Sequence, residues 1–266
     1  MTLLRWVALC ALFAGKAIAQ PTDISPFVAE AGGENARVVM RVERLSDGHE
    51  WSSNPERANE RFQPASTSKI PHTLIALETG FAGPETVFAW DGKRRTFESW
   101  NEDQTLTRAF QRSAVWVYQE IARGLGEEVM SEWLAAFDYG NAEIGGAQDL
   151  QQYWLRGPLA ISADEQLAFL ARLAREDLPL SAETYAKARE IMLAETQEDA
   201  RLYAKTGYNL REGQDDLGWY VGWVEDGAEI YVFALNMDLP GFDKAPERQR
   251  LVRHVLDRLE IFAAGE

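Results

Sequence analysis

Ser66-Thr67-Ser68-Lys69 places a serine and a lysine three residues apart. If the segment forms a helical turn, that spacing puts both side chains on one face. A serine hydroxyl is a weak nucleophile until a neighbouring base takes its proton. Burial disfavours a lysine ammonium, so a buried Lys69, or a derivative of it, becomes a base of that kind. The positive end of a following helix then favours negative charge on the serine oxygen. Taken alone, the pattern is weak and more often marks a serine N-cap followed by a solvated lysine. Two further segments bear on the choice. Ser113-Ala114-Val115 lies 47 residues after Ser66, and Lys205-Thr206-Gly207 lies 139 residues after it.

The elements that must position these residues can be read from periodicity. Ala36 to Leu45 alternates apolar and polar residues and predicts a strand; Gly48 marks a turn before a second strand at His49 to Ser52. Thr67 to Thr79 predicts a helix stopped by Gly80. Further helices are predicted at Ala114 to Arg123, Gly126 to Ala136, Ser162 to Arg175 and Ala182 to Met192. Ser162-Ala163-Asp164-Glu165 has a capping-box pattern. Beyond residue 200, strands are predicted at Ala200 to Thr206, Leu217 to Val224 and Glu229 to Met237, then a helix from Pro246 to Ala263. Short connections between these last strands imply antiparallel neighbours. On this reading Ser113 opens a helix and Lys205 stands on a strand, although Lys-Thr-Gly by itself is also an ordinary strand end. The expected organisation is one compact unit, residues 20–266, with a helical middle over roughly 66–198.

Composition narrows the function classes. The chain has 266 residues, 46% hydrophobic and 26% charged, as in a globular enzyme. Its formal charge of −15, with no basic run, disfavours nucleic acid and anionic membrane as partners. The one cysteine, Cys10, excludes an internal disulfide and a cysteine-rich metal site. His49, His72 and His254 are scattered, and no His-Glu-x-x-His pair is present. The P-loop, Gly-x-Ser-x-Gly and Gly-x-Gly-x-x-Gly signatures are also missing. Residues 1–19 read as a secretory signal peptide: Arg5, an apolar stretch from Trp6 to Gly15, and Ala17-Ile18-Ala19 before Gln20. Cleavage would leave 25 basic against 42 acidic residues, no cysteine, and no segment apolar enough to cross a membrane.

The ordered set Ser-x-x-Lys, Ser-x-Val, Lys-Thr-Gly is the arrangement of penicillin-recognising serine enzymes. The surrounding residues sharpen this: Phe62-Gln63-Pro64-Ala65 before Ser66, Ile70-Pro71 after Lys69, Leu77-Glu78-Thr79-Gly80, Trp90-Asp91-Gly92, Tyr139-Gly140-Asn141, Trp154-Leu155 and Gly218-Trp219-Tyr220-Val221-Gly222-Trp223. Through essentially all of residues 30–260 the chain resembles the class D (oxacillinase-type) serine β-lactamases. Tyr-Gly-Asn stands where class A enzymes carry Ser-Asp-Asn, and the class A Glu-x-x-Leu-Asn stretch is absent.

The resemblance implies an α+β fold, an antiparallel sheet flanked by terminal helices beside a helical subdomain, with the active site between them. It implies that Ser66 is acylated, and that Lys69 reacts with CO2 to become an N-carboxylated base for acylation and deacylation. Val115 and Leu155 would line the lysine pocket, and Trp154 would donate its indole N–H there. Ser113 would pass a proton to the departing lactam nitrogen, with Lys205 nearby. Backbone N–H groups of Ser66 and Tyr208 would form the oxyanion hole. Thr206, Gly207 and Tyr208 would flank the substrate, and Thr206 with Arg248 would hold its carboxylate; Arg250, two residues on, competes for that place. The implied activity is hydrolysis of β-lactam antibiotics of the penicillin and oxacillin type, with no metal or organic cofactor, in the periplasm, by a monomer or homodimer. A β-lactam sensor domain and a slowly deacylating cell-wall transpeptidase or carboxypeptidase share these motifs. Ser68 departs from the aromatic residue usual in the family. It is expected to loosen or hydrate the lysine pocket.

Overall fold

The computed structural model describes residues 20–34 and 37–262. The leader with Cys10 and its cleavage site lies outside them, as do Ala36 and Ala263 at the ends of two predicted elements. In chain order the elements begin with β1 (Thr22–Asp23), α1 (Ser25–Glu30), β2 (Val38–Arg44), β3 (His49–Ser52), α2 (Pro55–Ala58) and α3 (Lys69–Glu78). The middle holds β4 (Val87–Phe88), β5 (Gln104–Thr105), α4 (Leu106–Gln111), α5 (Val115–Ala136), α6 (Ala163–Ala174) and α7 (Ala182–Met192). Then follow β6 (Leu193–Gln197), β7 (Ala200–Asn209), β8 (Asp216–Asp226), β9 (Glu229–Leu239) and α8 (Glu247–Arg258).

Seven strands form one sheet in the order β1-β3-β2-β9-β8-β7-β6, antiparallel except for the short parallel β1–β3 pair. β8 is buried from Leu217 to Val224, so it reads as an unbroken apolar run, as a strand covered on both faces must. One face packs on the terminal helices: Val28 of α1 and Leu251, Val252 and Val255 of α8 meet Met40, Phe233 and Leu235. The other packs on the helical middle, where Ile70, Leu74, Phe169 and Leu170 meet Val39, Trp219 and Val221.

As predicted, two helices meet near Leu125: α5 is broken at Gly126, whose φ is 85°. The structure differs from the periodicity reading in three places. Ser66 lies in a 3-10 turn, Ala65–Ser68, that precedes α3. The helical middle contains a long stretch over 79–105 with only the short β4–β5 pair and a 3-10 turn, and a loop over 137–162, and within it β6 leaves to join the sheet. β7 extends to Asn209, but β6 pairs only with its first residues, Ala200 to Tyr203. From Ala204 onward this side of β7 is therefore a sheet edge with no paired strand among the described residues.

Candidate active site

The turn carrying Ser66 is built by side chains that bond backward to the backbone. Thr67 Oγ1 donates to Pro64 O (2.8 Å) and Ser68 Oγ donates to Ala65 O (2.7 Å). Ala65 takes a positive φ of 49°, an uncommon conformation for alanine, and its N–H donates to Trp154 O (3.0 Å). The turn leaves Ser66 half-buried and Lys69 fully buried. Lys69 Nζ donates to Ser66 Oγ at 2.8 Å and lies 5.1 Å from the Tyr118 ring centre. Burial, assisted by the nearby Lys205 charge, pushes the Lys69 ammonium well below the usual lysine range. Ser68 is itself buried and internally bonded. The polar side chain is thus satisfied within its own turn.

Ser113 reaches the same cleft from the end of α4. Ala114 N–H bonds Ala109 O (2.9 Å) and Ser113 N–H bonds Phe110 O (3.1 Å), a Schellman ending. Ser113 occupies the left-handed position, φ 60°, where glycine is usual. Lys205 Nζ donates to its hydroxyl (3.0 Å) and to Thr206 O (3.2 Å). Lys205 is buried, and burial together with the Arg248 charge lowers its ammonium to about 7.

Gly207 lets β7 close on the Ser66 turn. A Cβ there would lie 3.0 Å from Pro64 O and 3.1 Å from Thr67 Cγ2. Trp219 Nε1, on β8, ties the same junction by donating to Gln63 O (3.0 Å). Arg248 extends from α8 under β7, where Nη1 donates to Gly207 O and Nε to Ala245 O (2.6 Å). Burial brings its guanidinium down to about 10. Arg250 instead donates to Glu247 and to Ala31 O (2.7 Å), away from the cleft. Ser66, Ser113, Val115, Leu155, Thr206, Tyr208 and Arg248 line one cleft of about 300 Å³. Lys69 and Trp154 are buried behind it. Trp154 Nε1 has no hydrogen-bond partner among the described residues.

Other residues of the site carried no readable signal. Phe97, Trp100 and Phe242 also line the cleft. Phe97 meets Phe242 across it (ring centres 5.6 Å apart), and Phe242 meets Tyr208 (5.0 Å). They sit on irregular segments with no period to mark them. Tyr139-Gly140-Asn141 works outside the cleft. Asn141 accepts from Ala160 N–H (3.0 Å) and donates to Pro158 O (2.8 Å), fixing the loop that carries Trp154. His72, on α3, bonds Ser68 O (2.6 Å) and Tyr153 Oη (2.8 Å). Among the described residues no group of three or more His, Cys, Asp or Glu side chains is arranged to hold a metal ion.

Comparison with known proteins agrees with this geometry. The family described as penicillin binding protein transpeptidase domain matches residues 34–257. β-Lactamase OXA-48 of Klebsiella pneumoniae is 44% identical over 225 residues, 84% of this chain and 83% of that protein. β-Lactamase OXA-5 of Pseudomonas aeruginosa is 39% identical over 239 residues, 89% of each. Among solved structures, the class D β-lactamase YbXI from Nostoc superposes with a TM-score of 0.86 at 33% identity, covering 91% of this chain and 100% of that one. FUS-1 (OXA-85), a class D β-lactamase from Fusobacterium nucleatum subsp. polymorphum, gives 0.84 at 35% identity, covering 89% and 98%. With the Ser66–Lys69 and Ser113–Lys205 pairs meeting at the edge of β7, and relatives of this identity spanning nearly the whole fold, the chain belongs to the class D β-lactamases.

Proposed function

We propose that this enzyme opens the lactam ring of penicillin- and oxacillin-type antibiotics through a Ser66 acyl-enzyme, with Lys69 N-carboxylated by CO2. The observation that carries the reading is the Lys69 amine. It is fully buried, is held toward its neutral form, and bonds Ser66 Oγ at 2.8 Å. Only a neutral amine adds CO2. The carboxylate so formed needs donors in an otherwise apolar pocket. The Trp154 indole N–H, buried beside the Ser66 turn and unpaired among the described residues, fits that need. Once in place, the carboxyl group supplies the base for the Ser66 proton and later for a water proton.

The chain's own groups account for the rest. The Ser66 Oγ–carbonyl bond forms as the hydroxyl gives up its proton, and the backbone N–H groups of Ser66 and Tyr208 take the developing oxyanion. The lactam C–N bond then breaks. Its nitrogen takes a proton from the Ser113 hydroxyl, which Lys205 Nζ, 3.0 Å away, replaces. The substrate lies along the unpaired edge of β7 at Thr206 and Gly207, with its carboxylate on Thr206 and the Arg248 fork. Val115 and Leu155 keep bulk water from the lysine. Water then adds to the acyl carbon, and Ser66 Oγ leaves and regains its proton.

Residues 20–266 act as one catalytic unit, exported by the leader to the periplasm. A monomer or a homodimer carries a complete site, because every residue named comes from one chain; sedimentation distinguishes the two. The activity test follows a chromogenic cephalosporin with and without added bicarbonate, beside Ser66→Ala. Multiple turnovers that rise with bicarbonate and vanish in the variant support the reading. A single stoichiometric burst leaving acylated protein identifies a sensor or a slowly deacylating cell-wall enzyme instead.

A further inference from the structure

His72 is a fully buried imidazole that the mechanism does not use. A buried polar ring persists in a core only where its nitrogens are bonded, and the partners of His72 fix its state. Ser68 O, 2.6 Å from Nδ1, can only accept, so Nδ1 carries the proton. Nε2 of the neutral ring then accepts, and Tyr153 Oη, 2.8 Å away, donates to it. The result is a directed chain, Tyr153 O–H to His72 and His72 N–H to Ser68 O. It joins two segments 81 residues apart. Burial lowers the imidazolium to about 4, so the direction of the chain holds through neutral pH.

The two ends of this chain are the two walls of the lysine pocket. Ser68 lies between Ser66 and Lys69 on the 3-10 turn, and Tyr153 immediately precedes Trp154. Ring contacts complete the brace. His72 stacks on Tyr153 (5.5 Å, 19°) and meets the edge of Trp154 (4.7 Å, 68°). It also meets Tyr118 (6.0 Å), the ring beneath Lys69 Nζ. The Trp154 backbone is tied to the turn by the bond from Ala65 N–H to Trp154 O. The His72–Tyr153 pair is a second, independent tie between the same walls.

We propose that His72 and Tyr153 are positioning residues which hold Trp154 against the Lys69 turn and thereby set how tightly the site retains CO2 on Lys69. The inference rests on the carboxylated Lys69 reading above. Tyr153→Phe keeps the ring and removes only the hydroxyl. Its half-maximal bicarbonate concentration for activity is expected to rise about fivefold, the worth of one buried hydrogen bond. At saturating bicarbonate its kcat and KM are expected to return to wild-type values, and a 13C carbamate signal at limiting labelled bicarbonate is expected to be weaker. His72→Gln, tested in parallel, is expected to shift the midpoint in the same direction. If wild-type enzyme shows neither bicarbonate response nor carbamate signal, the Lys69 reading fails. If wild type responds and Tyr153→Phe responds at the same midpoint, the positioning role is overturned.

Discussion

Lys205 predicts the alkaline side of the pH–rate profile. Its ammonium donates to Ser113 Oγ and to Thr206 O, yet burial and the Arg248 charge lower it to about 7. If the charged form supplies the proton that Ser113 passes on, and helps hold an anionic substrate, kcat/KM must fall as Lys205 loses its proton. Above a pKa of about 7 the charged fraction drops roughly tenfold per pH unit. Arg248→Ala tests the electrostatic part. Arg248 is the neighbouring charge that lowers Lys205; for an assumed separation of about 10 Å and an effective dielectric of about 20, removing a unit charge is worth about one pKa unit. The alkaline limb is therefore expected to move up by about one pH unit, even though KM rises through loss of the carboxylate fork. The assay is kcat/KM for a chromogenic cephalosporin from about pH 6 to about pH 9 at saturating bicarbonate, read for the midpoint and not the height. A wild-type profile flat to about pH 9, or a limb unmoved in Arg248→Ala, refutes this role for the Lys205 charge.

Three further outcomes are expected. Ser113→Gly removes the hydroxyl proposed to relay the proton but relieves the left-handed conformation at φ 60°. Acylation should slow markedly while denaturant-induced unfolding shows a fold as stable as wild type or about 1 kcal/mol more so; a clear loss of stability counts against the Schellman account. Asp238 accepts from the buried Arg57 (2.8 Å) and from Arg211 (2.7 Å); Arg57 also bonds Asn236 Oδ1 and Arg211 also bonds Asp215 O, so Asp238→Asn, which removes the charge but keeps an acceptor, should cost about 1–2 kcal/mol in urea unfolding. The His72 pKa is lower in the folded state (about 4) than its ordinary 6.5. Its contribution is therefore complete above the unfolded value and is lost as pH falls toward 4, by about 3 kcal/mol. His72→Gln should flatten the acid-side slope of stability against pH, and an unchanged slope would assign acid sensitivity elsewhere.

Much of this site is legible in the order and spacing of its residues, and the reasons differ from one residue to the next. Ser162 and Glu165 form the reciprocal cap their spacing requires, because a capping box is a purely local device. Ser66, Lys69 and the Lys-Thr-Gly strand are legible because chemistry restricts both type and order. Arg248 and Arg250 cannot be separated by sequence. Only the α8 orientation shows one bonding Gly207 O and the other Ala31 O. The 3-10 turn at Ser66 runs directly into α3 with no break in the sequence to mark it, and the turn depends on Thr67 and Ser68 bonding backward. Phe97 and Phe242 are exposed and far apart in the chain, so nothing local announces that they meet. Ser68 bonds Ala65 O, and a buried imidazole bonds its carbonyl; comparing activity and bicarbonate response with Ser68→Phe tests whether it loosens the pocket.

The stretch of β7 beyond Tyr203, which has no paired strand on this side among the described residues, has a consequence for solubility as well as for the proposed substrate binding. A bare strand edge is a template on which other chains can zip into aggregates, and proteins usually blunt it with charge, bulges or covering segments. Here Thr206 of that edge lines the cleft together with Phe97, Trp100 and Phe242, and these aromatic side chains form a rim beside it. The rim blunts the edge as covering segments do in other proteins. Trimming the aromatics of that rim would raise the tendency to self-associate.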